Sequence, residues 1–139
     1  MLICCVIALL FCITGNAKVP YIPKIINYSV SDYKAGNQNW AVSQGPGGKM
    51  YIGNNRGLLV FDGIHWDLVK LPNNLGVRAL YISKDGRIYV GSFEEFGYFE
   101  MDDENDLIYH SLSSSEMNVY LNNDEFWTIN EYKGEIYFQ

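Results

Sequence analysis

The chain repeats itself, and that repetition restricts its fold more than any other feature. Slid against itself by 38 residues, Ala41 falls on Ala79, Gly48 on Gly86, Lys49 on Arg87, Tyr51 on Tyr89, Gly53 on Gly91 and Phe61 on Phe99, with no gap. Apolar positions coincide as well: Val42 with Leu80, Met50 with Ile88, Ile52 with Val90. A further copy, Trp127-Thr128-Ile129, then Lys133-Gly134, then Glu135-Ile136-Tyr137-Phe138, stands 48 residues beyond the second, so about ten residues are inserted before it. Within each copy, short runs of β-formers are separated by glycine-containing turns. Asp85-Gly86, between Ala79–Ser83 and Arg87–Gly91, is a hairpin signal because glycine reaches positive φ at no steric cost. A unit of about 40 residues holding several short strands is the signature of β-propeller blades. The expected fold class is therefore all-β: a β-propeller fragment of about two and a half four-stranded blades, preceded by a signal peptide.

The expected division of the chain is 1–17 signal peptide, 18–38 extended lead-in, 39–76 first blade, 77–124 second blade with an inserted connection, and 125–139 the start of a third. Leu2 to Ile13 is an unbroken apolar run, too short to span a bilayer comfortably and the right size for a signal-peptide core. Gly15 and Ala17 supply the small residues of a cleavage site, so processing is expected before Lys18; no Lys or Arg precedes the run, a departure from the usual pattern. Cys4, Cys5 and Cys12 all lie in this leader. The processed chain then has no thiol for a disulfide, a nucleophile or a metal site. The net charge of −6 falls wholly on the remainder and argues against nucleic-acid binding by this segment.

In the lead-in, Pro20 and Pro23 disfavour helix and central strand alike. The first unit is expected to hold strands at Trp40–Ser43, Lys49–Gly53, Leu58–Phe61 and His65–Val69. The second is expected to hold Ala79–Ser83, Arg87–Gly91, Phe96–Phe99 and Leu107–Leu112. The third begins with Phe126–Asn130 and Glu135–Gln139 and stops mid-blade. A propeller closes only with about four blades or more, so the chain is expected to be the front of a longer protein.

Catalytic chemistry is sparse. His65 and His110 are the only imidazoles, and neither has metal-ligand or triad spacing to a carboxylate. Glu94 and Glu95 are adjacent, where side chains diverge, so they do not make a glycosidase pair. Asp102 to Asp106 lacks the alternating spacing and distal Glu of a calcium loop and reads as a solvated hairpin tip. Ser113–Ser115 has no nucleophile-elbow glycines, and Gly45-Pro46-Gly47-Gly48 joins two strands and opens no helix. No catalytic residue, metal site or cofactor is expected. Tyr51, Tyr89 and Tyr137 recur at one station of the unit, which points to packing between blades.

Ligand candidates are better sought in loops that do not recur. In a four-stranded blade, the loop joining the second and third strands and the crossing to the next blade emerge on one face. Asn54, Asn55 and Arg56 lie there in the first unit and Phe93, Glu94 and Glu95 in the second, with Asn73 and Asn74 on the crossing. Amides, a guanidinium and an aromatic ring suit a polyhydroxylated ligand.

Asn39-Trp40-Ala41-Val42, the run from Lys49 to Gly63 and Gly86-Arg87-Ile88-Tyr89-Val90-Gly91-Ser92 resemble the two-component regulator propeller repeat. Ala35–Trp40, Glu95–Phe99 and Tyr109–Ser113 are similar to the amino-terminal blades of large bacterial sensor–regulators. The resemblance covers most of residues 20–139. It implies an exported, periplasmic ligand-sensing propeller of a transmembrane signal-transduction or transcription regulator, responding to an oligosaccharide or its breakdown product. In the full-length form it implies a homodimer, a downstream β-sandwich with a triple-tyrosine motif, and one membrane helix. Beyond the helix it implies an output module, either a histidine kinase or a helix-turn-helix domain. The alternative is an exported propeller enzyme, a lyase or hydrolase, with its catalytic residues in later blades.

Overall fold

The computed structural model describes residues 22–121 and 123–139. The expected signal peptide lies outside the described residues. Among the described residues, ten strands form three antiparallel sheets in chain order. The first contains β1 (Asn39–Gln44), β2 (Met50–Asn54), β3 (Gly57–Phe61) and β4 (Trp66–Val69). The second contains β5 (Ala79–Ile82), β6 (Ile88–Gly91), β7 (Phe96–Met101) and β8 (Leu107–Ser111). The third pairs β9 (Ile129–Tyr132) with β10 (Glu135–Phe138). Each four-stranded sheet is a meander in which every strand pairs with the next, and β1, β5 and β9 lie side by side as inner strands.

The turns follow from their residues. Ser83 and Arg87 close the β5–β6 hairpin, with the Gly86 N–H on the Ser83 carbonyl at 3.0 Å and Gly86 at φ +90. That is a type I turn followed by a left-handed glycine, the usual three-residue hairpin, and not a tight two-residue Asp-Gly turn. The third sheet does use a two-residue turn, Lys133-Gly134, with both residues at positive φ.

Between the first two sheets, Tyr51, Leu58 and Val60 pack against Leu71, Val77, Ile88, Val90 and Phe99 in one buried core. A smaller core on the far side of the first sheet joins Tyr33, Ile52 and Leu59, with Trp66 and Leu68 against it. The repeated glycines of β2 and β6 explain how sheets approach each other. A Cβ on Gly53 would stand 2.9 Å from the Val77 carbonyl oxygen, and one on Gly91 would stand 2.6 Å from the Phe126 Cβ. Each glycine is the socket into which the chain entering the next sheet is pressed.

Two expectations need correction. The lead-in contains a single helical turn, Val30–Tyr33, despite the prolines before it. Its start is closed by the Ser29 N–H and hydroxyl, both donated to the Asp32 carboxylate at 2.6 and 2.7 Å, which holds the Asp32 carboxyl below its ordinary range. The first strand of the third sheet begins at Ile129 and not at Phe126. Phe126 is spent on the crossing, donating its N–H to the Ser92 carbonyl.

Candidate functional site

The antiparallel meander puts the β2–β3 turn, the β6–β7 loop, the end of β8 and both crossings on one face, as expected. That face carries a cleft of about 520 Å³, lined by Asn73, Leu75, Phe93, Glu94, Glu95 and Ser113–Ser115. The expected candidates Phe93 and Glu94 are brought together there, along with Asn73.

The cleft wall is built by hydrogen bonds from three elements. Phe93 forms an antiparallel bridge with Glu125, and the Glu94 N–H donates to the Asp124 carbonyl at 2.9 Å. The Glu94 carboxylate accepts the Asn123 N–H at 2.7 Å. Glu94 sits at φ +51, a left-handed conformation costly for a residue with a side chain, and these contacts hold it there. Glu95 is fully engaged: Tyr109 and Ser111 donate to its Oε1 at 2.7 and 2.6 Å, and Ser113 donates to its Oε2 at 2.7 Å. Burial, and then the bond to that carboxylate, push the Tyr109 hydroxyl well above its ordinary range. Glu95 thus orients the serine-lined end of β8, and sequence spacing gave no sign of it.

The first-unit candidates divide. Asn54 is 0% exposed. Its Oδ1 accepts the Gly36 and Arg56 N–H groups, both at 2.9 Å. Its Nδ2 donates to the Gly36 carbonyl and to Asn39 Oδ1, both at 2.7 Å. All four hydrogen-bonding positions of the amide are used, so Asn54 is a latch for the incoming chain and has nothing left for a ligand. Ser92, the equivalent residue of the second unit, does the same with one bond, donating to the Gly76 carbonyl at 2.5 Å. Asn55 receives the Trp40 indole N–H at 2.9 Å and donates to Gln38 at 2.8 Å, which places it at the inner strands and outside the cleft. Arg56 is exposed and does not line the cleft.

Both histidines pair with a carboxylate. His65 Nδ1 lies 3.3 Å from Asp62, whose carboxyl is held down to about 2 by the N–H groups of His65 and Ile64. His110 Nε2 lies 3.1 Å from Glu100, which also holds Arg87 at 3.2 Å, while the His110 ring stacks on Tyr98 at 5.0 Å. Neither histidine lines the cleft. The carboxylates of Asp102, Glu104 and Asp106 gather at the β7–β8 tip. Asp102 Oδ1 accepts the Glu104 and Asp106 N–H groups, so it serves the turn.

Four-stranded antiparallel meanders set side by side through their inner strands are the blades of a β-propeller. Residues 70–94, which run from the end of the first blade through the first hairpin of the second, match the model of the two component regulator propeller. No curated protein matches the chain.

Proposed function

We propose that this chain is the ligand-sensing propeller segment of an exported signal-transduction or transcription regulator, responding to a glycan or its breakdown product. It binds and does not catalyse. The observation that carries the reading is the cleft itself, where an aromatic ring, a strained glutamate, an asparagine amide and a run of serine hydroxyls converge on the loop face. Such a wall offers a polyhydroxylated ligand both apolar contact and paired donors and acceptors. The family matched at residues 70–94 supports a role in two-component regulation. Periplasmic location, homodimerisation and a downstream membrane helix belong to the same reading. Among the described residues no helix is long and apolar enough to cross a membrane.

The test is a glycan array probed with the whole chain, followed by calorimetry on any retained oligosaccharide. Phe93→Ala and Glu94→Gln should each weaken binding at least about tenfold with little change in melting temperature. An array that retains nothing, or binding undiminished by both substitutions, overturns the proposal.

A further inference from the structure

Apart from the cleft, three equivalent positions of the repeat meet where the inner strands begin. Val77 donates its N–H to the Asn54 carbonyl and Phe126 donates to that of Ser92. Arg78 and Trp127, which donate their N–H groups to the Gly91 and Gln139 carbonyls, are therefore the same station in successive sheets, one residue off the 48-residue offset because the third hairpin has the shorter turn. Trp40, 38 residues before Arg78, is the first of the series. The Arg78 guanidinium lies 4.4 Å from the centre of the Trp40 ring and 5.8 Å from that of Trp127, and the two indoles meet edge to face at 5.7 Å.

Several features distinguish this cluster from ordinary packing. Packing residues of the repeat recur, as Tyr51, Tyr89 and Tyr137 do, whereas this station reads Trp, Arg, Trp. Trp40 and Trp127 remain 41% and 54% exposed, although the Arg78 guanidinium lies over the Trp40 ring. The Trp40 ring is fixed in place by its N–H bond to Asn55. Arg78 Nε meets Glu125 at 3.4 Å, a long contact that sets a donor-rich group beside an acceptor, and its Nη1 is buried with no partner among the described residues. Part-exposed indoles beside a donor-rich group and an acceptor are what a sugar ring requires: its C–H face stacks and its hydroxyls bond in both directions. Glu125 beside Arg78, on a chain of net charge −6, disfavours an anionic ring.

We propose that Trp40, Arg78 and Trp127, with Glu125, form a subsite for a neutral pyranose ring. The inference rests on the sensing reading above and adds a ligand class and a contact separate from the cleft. Indole emission of the whole chain reads it directly, titrated with cellobiose, lactose and maltose, and with glucuronate for comparison. At least one neutral disaccharide should shift or quench emission saturably, and glucuronate should act about tenfold more weakly or not at all. Trp127→Leu, at an exposed position, should weaken the response about tenfold. Arg78→Gln should do likewise, and if it fails to fold, Trp127→Leu decides alone. No response to any neutral disaccharide, a stronger response to glucuronate, or an unchanged titration in Trp127→Leu overturns the subsite. Phe93→Ala and Glu94→Gln should leave this titration unaltered; its loss in those variants would assign the signal to the cleft and also overturn the subsite. Array binding without an emission response sinks the subsite and spares the sensing reading, whereas an empty array with no emission response sinks both.

Discussion

The junction between the first and second sheets and that between the second and third occupy the same register and are made of different materials. The first is mostly aliphatic and closed, with Leu58, Val77, Val90 and Phe99 all at 0% exposure. The second is an aromatic cluster in which Phe96, Phe126 and Phe138 meet at 4.7–6.0 Å, supplemented by a polar tie from the Tyr81 hydroxyl to Glu131 at 2.6 Å. The repeated tyrosines measure the difference. Tyr51 is 2% exposed in the first junction, Tyr89 is half-buried against Tyr98 and Phe138 in the second, and Tyr137 is 49% exposed. A repeat assigns a residue its position, but the neighbouring sheet decides how much water that residue loses, and with it most of its energetic weight.

The largest expected effect tests that gradient. Tyr51→Ala should cost about 3–5 kcal/mol in chemical denaturation, as for other buried aromatics. Tyr89→Ala should cost about 2 kcal/mol and Tyr137→Ala less than about 0.5 kcal/mol. Equal losses at the three positions would mean that the junctions are equivalent after all.

Next comes the pair of latches. Asn54→Ala strands the Gly36 backbone groups and should cost about 2–3 kcal/mol, against about 1 kcal/mol for Ser92→Ala, which removes one bond. A reversed order would show that the second crossing, and not the first, depends on its side-chain latch.

The first junction should also respond to alkali. Burial raises the Tyr51 hydroxyl above its ordinary range, and burial with the Glu95 bond raises that of Tyr109. A raised value means that the fold favours the neutral phenol. This stabilisation is complete below about pH 10 and is lost as pH climbs from there through the folded-state values. Melting temperature followed from pH 9 upward should therefore fall above about pH 10. It should fall less steeply in Tyr109→Phe, which cannot ionise; an identical slope would remove Tyr109 from the account.

The smallest effect is expected at Arg56, outside both junctions. Arg56→Ala should change stability by no more than about 0.5 kcal/mol. A larger loss would give Arg56 a structural part that its exposure does not suggest.

Much of this architecture is legible in the residues because strands and turns are written locally. Alternating β-formers and glycines placed eight strands of two sheets within a residue or two, and the 38-residue offset grouped them into units. The helical turn at Val30–Tyr33 was hidden because its stabilisation comes from one short polar exchange between Ser29 and Asp32, which prolines nearby outweigh in a composition argument. The candidate site was half legible. Phe93 and Glu94 do meet in a cleft, whereas Asn54 looks like a loop amide in sequence and is in fact saturated by the chain 18 residues before it. The Trp40–Arg78–Trp127 cluster left one trace, the coincidence of positions 40 and 78 under the repeat, but unlike residues at like positions do not register as a pattern.

The sequence by itself determined the unit, its strands, its turns and the face on which its loops emerge, since all of these follow from backbone preferences over a few residues. Only the tertiary structure decided which amide became a latch, which tyrosine lost its water and which loops shared a cleft. Those outcomes depend on atoms brought within 3 Å from distant parts of the chain, and on the close approach of sheets that Gly53 and Gly91 permit.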